Sequence, residues 1–265
     1  MCLILFAWQV DLERPLILAA NRDEFYQRPT ATLAQWQDLP VIAGQDLQEG
    51  GTWLGITPSG RFAAVTNYRQ ASEMGQRYPI SRGELCRRFL SSETPIEQFL
   101  SSLEIEAQNI GGFNLLLSDG KQMAYASNRF GAETGNPYYQ SKMCLEPGVY
   151  GLSNHRLNSP WPKVTTGIAE LQQQVSKVQN DLQLSQALFE ILENQIQADD
   201  SLLPDTGIGL EKERFLAPRM IASSTEYGTR ASTVLIKSQD GIQTLIEQSY
   251  AALSKKQIKN IFCTS

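Results

Sequence analysis

The chain has 265 residues, 42% hydrophobic and 19% charged, with a formal net charge of −5 at pH 7. Such a composition suits a soluble globular protein with room for a sizeable core, one that needs no disulfide or metal to staple it. The acidic balance argues against a dedicated nucleic-acid binder, which carries a basic one.

The first eight residues, MCLILFAW, lack a basic segment before them, and Gln9, Asp11, Glu13 and Arg14 close the run. It is too short for a signal peptide or a membrane span and reads as a buried strand. A second apolar run covers 15–20, with the polar DLER between the two, so residues 1–8 and 15–20 are expected to pair as strands. Further strands fit 52–57 and 61–67, hinged at Pro58-Ser59-Gly60. Helical spacing of apolar residues follows over 82–103, interrupted by Pro95, and later over 164–196. Two hairpins with Asp-Gly turns are expected, 113–118 with 121–126 and 232–238 with 242–248. Strands in meanders with helices in separate blocks indicate an α+β protein. The stretch 198–209 reads as a long surface loop, and residues 1–265 are expected to form a single domain.

Cysteines stand at 2, 86, 144 and 263 with no CxxC, and His155 is the single histidine. No metal site is expected from that set. Scattered thiols suit the reducing cytoplasm.

Folding the first hairpin about DLER, with its centre between Leu12 and Glu13, pairs residues whose numbers sum to 25. Cys2 then faces Asp23, Ile4 faces Asn21, and cross-strand partners share a face. Removal of Met1, usual before a small residue, would leave Cys2 with a free α-amine. That amine titrates at about 7.7–8.0 when unperturbed and can act as general base for its own thiol. The pairing of nucleophile with terminal amine is a known variant of the catalytic triad. The same features have bland readings. Cys2 also suits a small buried residue, and Asn21-Arg22-Asp23-Glu24 also suits a solvated turn with a surface ion pair.

Further segments bear on the choice: NRDEF at 21–25, GGTWLG at 50–55, TNYR at 66–69, SRGEL at 81–85, GFN at 112–114, GLSNH at 151–155, WPK at 161–163 and YGTRAST at 227–233. In this order, and together with Cys2, they resemble the NRDE family, also called the transport and Golgi organisation protein 2 family, over nearly the whole chain. That family is in turn remotely similar to the cysteine-type N-terminal-nucleophile (Ntn) hydrolases, which include bile-salt hydrolases and penicillin V acylases.

The resemblance implies a four-layer αββα sandwich of antiparallel sheets and cleavage of a non-peptide amide. Carried over by position, Cys2 is the nucleophile and Asp23 the carboxylate that holds its amine. Asn67 supplies the oxyanion hole, Asn154 supports the tetrahedral intermediate, and Arg230 lies near the thiol. Asn21, Arg22, Trp53, Tyr68 and His155 are expected around the substrate, with His155 orienting its loop. One position departs from the hydrolases: where they carry an arginine just before the asparagine, this chain has Ala20, and Arg22 follows instead. Each of these residues has a structural alternative as well. Asn67 and Asn154 at strand ends also suit turn backbone, and Trp53 and Tyr68 also suit a core. GGTW has the glycines of a tight turn without the context of a phosphate loop.

Two functions follow as expectations. The first is a hydrolase or acyltransferase that needs no cofactor and acts on a small acyl amide or thioester through acyl-Cys2. The second, implied by the family's association with secretory-pathway organisation and with haem or lipid handling, is a binding or transfer protein for haem, acyl-CoA or lipid. In that case His155 is a candidate axial ligand. No nucleic-acid partner is expected, and a homo-oligomer is compatible with either function.

Overall fold

Continuous apolar runs make strands buried on both faces, and the computed structural model, which describes residues 2–132 and 138–264, has such strands at its centre. The first part of the chain forms β1 (Cys2–Trp8), β2 (Leu16–Phe25), β3 (Thr30–Gln35), β4 (Ile42–Asp46), β5 (Leu54–Ile56) and β6 (Phe62–Asn67). Helices α1 (Arg82–Leu90) and α2 (Ile96–Glu106) precede β7 (Phe113–Ser118), β8 (Met123–Phe130), β9 (Tyr138–Lys142) and β10 (Gly148–Leu152). Then come α3 (Pro162–Lys177), α4 (Asp181–Leu192), α5 (Leu210–Phe215), β11 (Tyr227–Lys237), β12 (Gln243–Ala251) and β13 (Lys255–Thr264).

Two compact units contain these elements. The first comprises residues 1–28, 147–153 and 157–265, and the second 29–146 and 154–156. The first unit holds an antiparallel sheet in the order β10-β1-β2-β11-β12-β13. Leu3, Leu5 and Ala7 of β1 and Ile17 and Ala19 of β2 pack in one core with Val164 and Leu171 of α3 and Leu184 and Leu188 of α4. Strand alternation sends Ile4, Phe6 and Leu18 to the opposite face, where they are also buried. Burial of both faces explains why β1 and β2 read as unbroken apolar runs.

The second unit repeats the plan with an antiparallel sheet in the order β3-β4-β5-β6-β7-β8-β9. Ala63, Val65, Leu115 and Leu117 meet Leu85 and Phe89 of α1 and Ile96 and Leu100 of α2 in its core. The chain is thus α+β, and each unit is a sheet with a helical layer on one face. Pro95 divides the 82–103 block into two helices, standing at the N-cap of α2 because its ring cannot continue α1. Residues 178–180 divide 164–196, and the Asn180 side chain accepts from the Gln183 N–H at 3.1 Å to start α4. Strands β3, β4, β9, β10 and β13 and helix α5 lie where no element was expected. No helix among the described residues is long and apolar enough to cross a membrane.

The β1–β2 register corrects the expected one. Cys2 pairs with Arg22, Leu3 with Asn21 and Trp8 with Leu16, so partner numbers sum to 24 rather than 25. Asp11 sets this. Its carboxylate accepts from the Glu13 and Arg14 N–H groups at 2.9 and 3.3 Å and from Arg14 Nε at 2.7 Å, and the Gln9 N–H reaches the Pro15 carbonyl at 2.8 Å. The loop therefore spans seven residues, 9–15, and an odd loop centres on a residue, Leu12, instead of between two. A slip of one residue exchanges the faces of a whole strand.

The double glycine of GGTW also has a local cause. A Cβ on Gly51 would lie 2.6 Å from the Gly83 carbonyl oxygen and 2.8 Å from the Glu84 nitrogen, backbone at the start of α1 that cannot step aside. Replacement Gly51→Ala is therefore expected to destabilise the protein by about 1–3 kcal/mol, the usual range for forced overpacking. Urea unfolding at unchanged m-value measures it, and a loss under about 0.5 kcal/mol contradicts this packing.

Candidate active site

Cys2, a partly exposed residue with a free thiol, opens β1. Alternation along the paired strands puts Cys2, Ala20, Arg22 and Glu24 on one face and Leu3, Asn21 and Asp23 on the other, the face that carries the helices. The thiol is pushed above its ordinary range, first by burial. The negative charges of Asp23 and Glu24 add to that shift, while the positive N-terminus and Arg22 oppose it. The Cys2 carbonyl accepts from Ser153 Oγ at 3.1 Å, which fixes the strand end from the β10 side.

Asn21 and Asp23 anchor the sheet. Asn21 is 1% exposed. Its amide donates to the Leu192 and Arg219 carbonyls at 2.9 and 2.8 Å, and its oxygen accepts from Ser232 Oγ at 2.5 Å. These bonds tie the end of α4 and the 219 loop to β2 and β11. Asp23, 2% exposed, accepts from Thr229 Oγ1 at 2.7 Å on the same side. Asp23 does not stand opposite Cys2 as the hairpin folded on paper placed it; its charge acts on the thiol from the neighbouring position.

Arg230 is the extra residue of a β-bulge, since Thr229 pairs with Asp23 while Ala231 pairs with Arg22. Its guanidinium donates to the carbonyls of Phe25, Tyr26 and Arg28 at 2.9, 2.9 and 3.2 Å and lies over the Tyr26 ring. Burial, with repulsion from Arg22, holds it below the usual guanidinium range. Arg230 thus fastens the turn after β2.

The other expected residues belong to the second unit, where four of them cluster. Asn67 ends β6 partly exposed, and its carbonyl accepts from Asn154 Nδ2 at 3.1 Å. The Asn154 carbonyl in turn accepts from the Arg69 N–H at 2.7 Å. Next along the chain, the His155 ring lies 4.9 Å from that of Tyr68, which is 5% exposed, and the His155 carbonyl accepts from Asn114 Nδ2 at 3.0 Å. Trp53 stands apart from these four, its ring packed on Gly44, where a Cβ would come within 2.6 Å of Cζ2. Among the described residues no group of three or more His, Cys, Asp or Glu is placed to hold a metal ion.

Several partners carried no expected role. Asn114 of GFN and Thr229 and Ser232 of GTRAST lie in motifs that were visible, but only cross-strand pairing shows what they bind. Ser153 likewise lies in GLSNH, whereas the Glu73–Arg129 ion pair, with Glu73 also taking the Gly112 N–H at 2.7 Å, gave no signal in the sequence.

Loss of the Asn21 amide leaves two buried carbonyls and a hydroxyl without their partner. Asn21→Ala is therefore expected to cost about 2–4 kcal/mol in urea unfolding, given the penalty for stranded buried polar groups. A cost near zero contradicts the anchoring role.

A profile of the family described as Transport and Golgi organisation 2 matches residues 1–252. The Transport and Golgi organization protein 2 homolog of Bos taurus is 35% identical over 274 residues, covering 94% of this chain and 93% of the relative. Among solved structures, a Caenorhabditis elegans N-acylethanolamine-hydrolyzing acid amidase ortholog aligns with TM-score 0.46 and 9% identity over 89% of this chain and 92% of that one. The C2A mutant of conjugated bile acid hydrolase from Clostridium perfringens aligns with TM-score 0.46 and 10% identity over 99% and 92%. At that overlap the two structures assign no function, whereas the sequence match is nearly complete. The chain belongs to the Transport and Golgi organisation 2 family.

Proposed function

We propose that the protein is a cytoplasmic N-terminal-cysteine hydrolase or acyltransferase acting on a non-peptide amide or thioester through acyl-Cys2. The observation that carries this reading is the placement of Cys2. It is a free thiol on a partly exposed residue at the head of an interior strand of its sheet, with the charges of Arg22, Asp23 and Glu24 all acting on it.

In this reading Met1 is removed and the freed α-amine takes the Cys2 Sγ proton. The thiolate attacks the acyl carbon, forming the S–C bond and moving the carbonyl π electrons onto oxygen. Collapse expels the amine or thiol, which leaves with the proton held by the ammonium. Water or another acceptor gives its proton back to the amine, attacks the thioester and releases Cys2. Asn67 is assigned to the oxyanion by the family resemblance. Asn154 supports it by holding the Asn67 carbonyl. Loss of one oxyanion donor typically lowers kcat by about 10²–10³.

A binding or transfer role for acyl-CoA, lipid or haem has one observation in its favour. Burial raises the Cys2 thiol in the chain that begins at Met1, which leaves it neutral at pH 7 and poorly nucleophilic. Removal of Met1 is what distinguishes the two.

Site-resolved mass mapping after brief alkylation tests the enzymatic reading. Exposure alone ranks Cys144 and Cys263 first, Cys2 between, and buried Cys86 last. The nucleophile reading expects Met1 to be absent and Cys2 to label fastest at pH 7, ahead of both exposed thiols. Retained Met1, or Cys2 slower than Cys144 and Cys263, leaves the binding role.

A further inference from the structure

Ala20 and Arg22 lie two residues apart on β2 and so share a face, the face of Cys2. Cys2 and Arg22 are direct cross-strand partners, which sets their Cα atoms about 4.5–5.5 Å apart. Arg22 is 5% exposed, and its guanidinium stands 3.9 Å from the Glu24 carboxylate. Glu24 itself is shared, with Arg28 also at 3.9 Å and the Phe25 N–H at 2.9 Å.

The β11 bulge completes the arrangement. Continuing the short Tyr227–Thr229 register would pair Arg230 with Arg22, whereas the extra residue lets Ala231 take that place. Arg230 is turned to the carbonyls of Phe25, Tyr26 and Arg28.

From this pairing we infer that Arg22, and not Arg230, is the charge partner of the nucleophile: its guanidinium stabilises the Cys2 thiolate once the α-amine has taken the proton. The inference rests on the nucleophile reading of Cys2 and adds to it the residue that makes the thiolate accessible near neutral pH. The Sγ proton passes to the α-amine. Charges acting on the thiol include those of the N-terminus, Asp23, Arg22 and Glu24, and Arg22 supplies a cationic side chain among them.

The test is the pH midpoint of Cys2 alkylation, read by mass in full-length protein with Met1 removed, for wild type and for Arg22→Met, Arg22→Gln and Arg22→Lys. Melting temperature serves as the check on folding. An adjacent cation lowers an acid's pKa by roughly one to three units, so the two neutral variants are expected to raise the midpoint by at least about one unit. Cys2 labelling at pH 7 should then slow about tenfold. Arg22→Lys keeps the charge and is expected to stay within about half a unit of wild type, a rescue that a purely structural role would not produce. If Cys2 is fast in wild type and its midpoint is unmoved in whichever neutral variant folds, Arg22 is not the charge partner while the nucleophile stands. If wild-type Cys2 is no faster than Cys144, the nucleophile reading and this inference fall together.

Discussion

The pairing of Cys2 with Arg22 across β1 and β2 decides what each side of the central sheet can do. Asp11 draws the intervening loop into a seven-residue turn, and the odd count fixes which residues share a face. Cys2, Arg22 and Glu24 then stand together. Asn21 and Asp23 go to the helical side, where Ser232 and Thr229 are already in register to receive them. Alternate letters of the motif take different faces: Asn21 and Asp23 bond toward the helical side, Arg22 and Glu24 share the face of Cys2, and the charges of Asp23, Arg22 and Glu24 all act on the thiol.

That division also bears on energetics. Asn21 spends its amide on two carbonyls of separate segments, a use that contributes stability mainly because leaving those carbonyls bare would cost so much. Arg230 does the same for the turn after β2. The bulge places Ala231, not Arg230, opposite Arg22, and the charge of Arg22 still acts on Arg230. Ser153, Asn154 and His155 follow β10 as a short polar run. Ser153 holds the end of β1, while Asn154 and His155 are bonded into the second unit through Asn67 and Asn114.

Much of this was readable from residue order, and the exceptions have physical causes. Strands β1 and β2 announced themselves because both faces are buried, and the Asp-Gly turns placed β7–β8 and β11–β12. Pro95 marked the break between α1 and α2. Strands β3, β9 and β10 bury few of their residues and so show no unbroken apolar run, and β13, with Lys255, Lys256 and Lys259 on an edge, lacks the apolar alternation that a half-buried strand would show. The hairpin register was missed because it depends on loop parity, which the Asp11 side chain settles and composition does not. The chain also passes between the two units four times, at 28/29, 146/147, 153/154 and 156/157. No composition shift marks a boundary because neither unit is one continuous segment. The residues of the candidate site were visible as motifs, but their roles were not. Whether a buried asparagine faces a ligand or a carbonyl is decided by strand pairing, which the motif alone does not specify.

The central claim is that Cys2 forms a covalent acyl intermediate, and intact-mass spectrometry after rapid acid quench tests it most directly. The protein with Met1 removed is mixed with an acyl thioester and followed over seconds, alongside Cys2→Ser and Cys2→Ala. The account predicts an added acyl mass in wild type that maps to the N-terminal peptide, decays as free acid appears and is absent in Cys2→Ala. An acyl mass on Cys144 or Cys263 instead, or none at all while the thioester still binds, would contradict the enzyme and leave a binding protein.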